Sequence, residues 1–139
     1  MLKNNNLDAI IIGAGFSGIY QLHCLRDRLG LDVKVFEAAS DIGGTWYFNR
    51  YPGARCDSLS HSYSYYFSDE LLREWEWSER YPQQPEVLRY LNFVAEKLDL
   101  KRNIHCQVRV DRATYNSIEK LWCVETDDGN KYSAKFLIT

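Results

Sequence analysis

Gly13, Gly15 and Gly18 stand in the spacing G-x-G-x-x-G, and Glu37 follows the last of them by nineteen residues. Residue types in this pattern can hold a nucleotide. The first glycine permits a tight turn, the second lets backbone approach a diphosphate, and the third lets a helix pack close to a sheet. Free N–H groups at the start of that helix stabilise the diphosphate charge. Glu37 is placed to accept hydrogen bonds from the hydroxyls of an adenosine ribose. A carboxylate there repels a 2′-phosphate, so this site is expected to take FAD or NAD and not NADP. The alternative is a glycine turn in another α/β protein that binds no nucleotide.

The elements needed to position these residues are legible around them. Leu7 to Ile12 is a mostly apolar run that predicts a buried parallel strand. A helix is predicted to about Arg28, with Ile19, Leu22, Leu25 and Leu29 near one face and Gly30 as its stop. Val33, Val35 and Phe36 predict a second strand that ends at Glu37. From Asp41 to Pro85 no period is clean, yet thirteen of the twenty aromatic residues lie between Trp46 and Phe93. So many rings are expected to cover something apolar, whether the domain core, a ligand or another domain. Val87, Leu91, Val94 and Leu98 form a helical stripe after Pro85. Ile104 to Val110 and Leu121 to Thr126 read as strands, the latter with Trp122, Val124 and Thr126 on one face. Asp127 to Asn130 reads as a turn and Lys131 to Thr139 as a further strand. The expected core contains Ile10, Ile12, Leu22, Leu25, Val33, Val35, Val94 and Leu98.

Composition removes several classes of function. Seventeen Lys and Arg against nineteen Asp and Glu give a net charge of −2, which supplies no electrostatic basis for binding nucleic acid or an anionic membrane. No apolar run approaches the ~20 residues of a membrane span. Met1 to Asn6 is polar, without a signal-peptide core. Cys24, Cys56, Cys106 and Cys123 are scattered and are read as free thiols of a cytoplasmic protein. No cysteine or histidine pair sits at ligand spacing, so no metal is expected.

Glu37 is followed by Ala38-Ala39-Ser40-Asp41-Ile42-Gly43-Gly44-Thr45-Trp46, which resembles the FAD-binding start of flavoprotein monooxygenases. The stretch from Gly44-Thr45-Trp46-Tyr47-Phe48 through Arg50-Tyr51-Pro52-Gly53-Ala54-Arg55-Cys56-Asp57 is more specific and is similar to the Baeyer–Villiger monooxygenases. Glu74 to Tyr81 and Leu88 to Ala95 carry the same resemblance, so it covers essentially the whole chain. The resemblance implies an α/β, Rossmann-like FAD/NAD(P)-binding fold with a parallel sheet and a small antiparallel meander, here truncated. It implies an enzyme that binds FAD, uses NADPH as co-substrate, and inserts an atom of O2 into a ketone to give an ester or lactone. It places Gly13, Gly15, Ser17 and Gly18 on the FAD diphosphate and Glu37 on its ribose. It sets Gly44, Thr45, Trp46, Tyr47 and Phe48 along the cofactor, Tyr63 near the flavin, and the backbone of Val110 at the adenine. Asp57 is its catalytic candidate, and Arg55 to Asp57 are implied to touch NADP.

The residues alone also permit plainer roles. Asp57 would serve as a turn residue after Pro52-Gly53. Arg50 is read as structural, and Arg55 as a surface charge or a phosphate partner. Trp75 and Trp77 are read as packing, Cys56 as a passive thiol, and His61 as a residue without a partner. Residues 1–139 are thus taken as part of an FAD-binding domain. It comprises a βαβ unit at 7–37, an aromatic loop region at 41–85, a helix at 86–99, and strands with a meander at 104–139. The apolar run ending at Thr139 and the absence of a second G-x-G-x-x-G mark the chain as incomplete, its NADPH-binding domain lying elsewhere. Two alternatives stay open: a flavin monooxygenase that oxidises nitrogen or sulfur, and a truncated nucleotide-binding module without catalysis. The ketone and the oligomeric state are not specified.

Overall fold

The computed structural model describes residues 6–139; the polar start, residues 1–5, lies outside the described residues. β1 (Asn6–Ile12) runs into the glycine turn and then α1 (Phe16–Leu22), which continues without a break as a wider π-type coil, His23–Arg28. Gly30 ends it with φ +67°, which lets the amides of Gly30 and Leu31 return to the carbonyls of Arg26 and Leu25. Leu29 therefore falls beyond the helix and is exposed, contrary to its place in the predicted stripe. β2 (Val33–Glu37) pairs parallel to β1, so this first unit has the expected form.

One mixed sheet of six strands organises the chain, in the order β3-β2-β1-β6-β5-β4. β3 (Ile104–Cys106) adds parallel to β2, and β6 (Lys131–Ile138) adds parallel to the other edge of β1. β4 (Val110–Asn116) and β5 (Leu121–Thr126) continue from β6 as the antiparallel meander. Ile104 to Val110 is not one strand. Gln107 adopts φ +58°, a left-handed turn that ends β3 and redirects the chain into β4, a strand not anticipated over 111–116. The meander turn is held by Asp128, whose carboxylate accepts from the Thr126 hydroxyl and from the backbone and side chain of Asn130.

Both faces of the sheet are covered, which is why β1 is apolar on both sides. On one face Ala9, Ile11, Val33 and Val35 pack with Ile19 and Leu22 of α1. The same cluster takes in Val87, Tyr90, Leu91, Val94 and Ala95 of α4 (Gln84–Lys97), and also Leu100. On the other, Leu7, Ile10 and Phe36 meet Val124 and Ala134 of the meander. Of the expected core, Ile10, Leu22, Val33, Val35 and Val94 are buried, whereas Ile12, Leu25 and Leu98 are half-buried. Asp8, the one charge in β1, is occupied by Lys135 at 2.8 Å and the Asp32 amide at 3.0 Å.

Much of the aromatic segment folds onto the first of these faces, while Phe48, Tyr51, Tyr66 and Tyr81 stay exposed. It contains α2 (Thr45–Phe48), a 3₁₀ turn at Ser60–Ser62, and α3 (Asp69–Glu74). Tyr65 anchors it: its hydroxyl donates to the Phe16 carbonyl at 2.6 Å, and its amide donates to the Tyr90 hydroxyl at 2.7 Å. Burial pushes the ionisation of both tyrosines upward, Tyr65 most. Trp75 and Trp77 pack against Tyr90 at 5.3 and 4.9 Å between ring centroids, as packing residues. Arg26 joins the helical layers, reaching the Leu98 and Asp99 carbonyls, each at 2.7 Å, and Asn103 Oδ1 at 2.9 Å.

Candidate functional site

At the end of β1 the chain turns sharply. Gly13 has φ +96°, a region that side chains disfavour, and its amide donates to the Phe36 carbonyl at 2.8 Å. A Cβ on Gly18 would lie 1.9 Å from the Gly13 carbonyl oxygen, so only glycine lets α1 approach the turn. Gly15 differs. Its backbone is extended, and a Cβ there would meet Gly44 Cα at 3.5 Å, an ordinary contact. The protein's own packing does not demand glycine at position 15; a closely approaching ligand would. The amides of Phe16, Ser17 and Gly18 meet no acceptor among the described residues. Beside them lies a cavity of about 140 Å³, walled by the three glycines, Ser17, Ile11 and Ile12 with Ile138 at the end of the last strand and Thr139 after it.

Glu37 is 5% exposed and turned beneath this loop. Its Oε2 accepts from the Ala14 amide and its Oε1 from the Ala39 amide, each at 2.8 Å. Each oxygen keeps a further lone pair. A second glycine pair closes over the loop. The Gly43 amide donates to the Ala14 carbonyl at 2.9 Å. A Cβ on Gly43 would come within 2.5 Å of Leu88, and one on Gly44 within 3.0 Å of Gly15 Cα. The sequence assigned Gly44 to the cofactor but did not reveal Gly43 as a packing residue. Half-buried Cys106 lies near by, and partial burial, reinforced by the carboxylates of Asp41 and Glu37, pushes its thiol upward.

The chain then delivers the remaining candidates. Trp46 is buried; its indole N–H donates to the Tyr63 hydroxyl at 3.1 Å. Thr45, Trp46, Arg55, Asp57 and Tyr63 line one cavity of about 270 Å³, together with Asn49, Tyr51, Ala54 and Cys56. Asp57 is exposed and accepts only a long 3.4 Å bond from Ser58. Arg55 pairs with Glu79 at 3.1 Å and donates to the Tyr81 carbonyl. Arg50 donates to the Tyr47 carbonyl at 2.6 Å and lies over the Tyr47 ring, a structural role. Tyr47 shares a hydrogen bond with Ser40, and Phe48 is exposed beside it. Val110 opens β4 and packs at the edge of the second core cluster. Its neighbours Gln107 and Val108, rather than Val110 itself, bond to the Glu37 segment, through the carbonyls of Ala39 and Glu37.

Buried Gln84 and Glu86 went unnoticed in the sequence. Gln84 donates to the Trp46 carbonyl, and Glu86 accepts from the amide and hydroxyl of Ser78 at 2.8 and 3.0 Å. A wider groove of about 530 Å³ shares Ser17 and Phe16 but carries neither the glycines nor Glu37, so size alone does not mark the site. Among the described residues no three His, Cys, Asp or Glu converge as metal ligands, and no helix is long and apolar enough to cross a membrane.

These features fit a dinucleotide: unpaired amides, a small cavity against them, a glycine that packing leaves unexplained, and a carboxylate beneath. Comparison with known proteins agrees. A family model described as an NAD(P)-binding Rossmann-like domain matches residues 11–75. A Baeyer–Villiger monooxygenase of Pseudooceanicola batsensis is 50% identical over 134 residues, which are 96% of this chain and 25% of that protein. A phenazine N-monooxygenase of Lysobacter antibioticus is 44% identical over 140 residues, covering 99% of this chain and 26% of that protein. The crystal structure of cyclohexanone monooxygenase from Rhodococcus sp. Phi1 bound to NADP+ superposes with a TM-score of 0.95 at 44% identity, over 97% of this chain and 25% of that one. The chain spans about a quarter of the length of the relatives it matches. In sequence and in fold the chain is similar to the Baeyer–Villiger and cyclohexanone monooxygenases over that quarter of their length.

Proposed function

We propose that this chain is the FAD-binding part of an NADPH- and O2-dependent monooxygenase that oxidises ketones to esters or lactones. The observation that carries this is the Glu37 carboxylate set beneath a glycine loop whose first helical amides are unpaired. The amides of Phe16, Ser17 and Gly18 hold the diphosphate. Glu37 uses its remaining lone pairs on the ribose hydroxyls and repels a 2′-phosphate, which keeps NADPH out of this position. Gly44, Thr45, Trp46, Tyr47 and Phe48 flank the cofactor, and Val110 borders its adenine end. The cavity lined by Arg55, Asp57 and Tyr63 receives its redox end, where Asp57 is the catalytic candidate and the Arg55–Asp57 segment meets NADP. When bound, the flavin supplies the electron transfer and oxygen chemistry. This chain's residues bind it, orient it and shield one side with the Trp46–Tyr63 pair. The four unpaired thiols suit a reducing, cytoplasmic setting.

The test is to express the complete reading frame and measure bound flavin, NADPH oxidation and product. Retained FAD with ketone-dependent NADPH consumption and an ester or lactone product is expected. Absence of both bound FAD and oxygenated product overturns the proposal. The 44% identity to a phenazine N-monooxygenase favours a second reading, oxidation at nitrogen, which product identity separates from the first.

A further inference from the structure

Both oxygens of Glu37 are engaged inside the protein itself, on Ala14 and Ala39. The bonded residues are themselves held from the other side. The Ala14 carbonyl accepts the Gly43 amide at 2.9 Å, the Ala39 carbonyl accepts the Gln107 amide at 2.8 Å, and Glu37's own carbonyl accepts the Val108 amide at 3.0 Å. Four crossings therefore converge on one residue: the glycine loop, the segment after β2, the Gly43–Gly44 pair and the β3 exit. A side chain needed only to receive ribose hydroxyls requires none of these bonds.

We infer that Glu37 is a positioning residue that fixes the glycine loop in its diphosphate-binding shape before any ligand arrives. Diphosphate affinity then depends on Glu37 even for a ligand with no hydroxyls to offer it. This rests on the dinucleotide reading for its ligand, but not for its first measurement. Glutamine at this position keeps one acceptor oxygen and turns an NH₂ group toward the other amide, leaving a buried donor unpaired.

The first measurement is residue-resolved amide hydrogen exchange on the ligand-free protein. In the wild type, Ala14 and Ala39 should exchange at least about tenfold more slowly than Phe16 and Ser17, which have no acceptor. In Glu37→Gln, exchange at Ala14 or Ala39 should rise by about ten- to a hundredfold. Equal exchange at all four wild-type amides overturns the inference, and that comparison stands even where the variant does not fold. The second measurement is binding of 2′,3′-dideoxyadenosine diphosphate beside adenosine diphosphate. A loss of about tenfold or more in the variant for the dideoxy probe supports positioning; unchanged affinity for it, with weakened adenosine diphosphate binding, shows a ribose acceptor only and overturns it. If the wild type binds neither probe nor FAD, the dinucleotide reading falls, and protection at Ala14 and Ala39 still decides the role of Glu37.

Discussion

Alanine at Gly18 and alanine at Gly15 should fail in opposite ways. At Gly18 the added Cβ would sit 1.9 Å from a backbone oxygen, where ordinary contact begins near 3.4 Å, so about 1.5 Å must open between helix and turn. The obstacle is backbone and cannot rotate away. Overpacking of this kind costs ~3 kcal/mol or more, while alanine's better helix propensity returns up to ~1 kcal/mol. The net loss of at least ~2 kcal/mol corresponds to a fall in Tm of roughly 7 °C or more for a chain of this size. At Gly15 the backbone is already extended and the new methyl makes an ordinary contact, so stability should stay within ~1 kcal/mol of wild type. FAD affinity should nonetheless drop by about tenfold or more, because the methyl stands where the diphosphate must come close. Thermal unfolding followed by circular dichroism, with calorimetric FAD titration, measures both. A Gly18→Ala protein that melts with the wild type, or a Gly15→Ala protein that binds FAD undiminished, refutes these roles.

Two further outcomes follow from the packing. Arg26→Lys should lose ~2 kcal/mol in denaturant unfolding, since a single ammonium nitrogen cannot span the acceptors on Leu98, Asp99 and Asn103 that two guanidinium nitrogens reach; a lysine variant as stable as wild type would show that the fork carries no energy. His105 is held below the ordinary imidazole range by burial and, secondarily, by Lys34. Its folded pKa lies below its unfolded value, so the unfolded chain takes up the proton first. The resulting destabilisation is absent above about pH 6.5, grows as pH falls through that value, and is complete below the folded pKa. His105→Gln should flatten that part of the acid limb of a stability profile, and superimposable profiles would count against it.

What the sequence could reveal was whatever depends on neighbours along the chain. The strand from Leu7, the glycine spacing, Glu37 and the α4 stripe at Val87, Leu91 and Val94 are local patterns with local physical causes. Gln107 carries no such mark: a non-glycine residue in the left-handed region is imposed by the two strands it separates, and so the break between β3 and β4 was missed. Leu29 continued the helical period, but the glycine after it ended the helix first. Gln84 reaches a carbonyl thirty-eight residues away, and Gly43 is constrained by Leu88, so neither requirement is visible before the chain folds. For the same reason Glu37 read as a ligand acceptor but not as the junction of four backbone crossings.

The position of β6 has a consequence for biosynthesis. β1 is made well before its second flank, which is supplied by residues 127 positions later, as the Asp8–Lys135 pair marks. A partner so remote closes slowly, and until it arrives one edge of β1 stays open to foreign strands. Ile138 and Thr139 also complete the wall beside the glycines. Nascent chains stalled before Lys131 should therefore be clients of chaperones, with the wall beside the glycines still unbuilt.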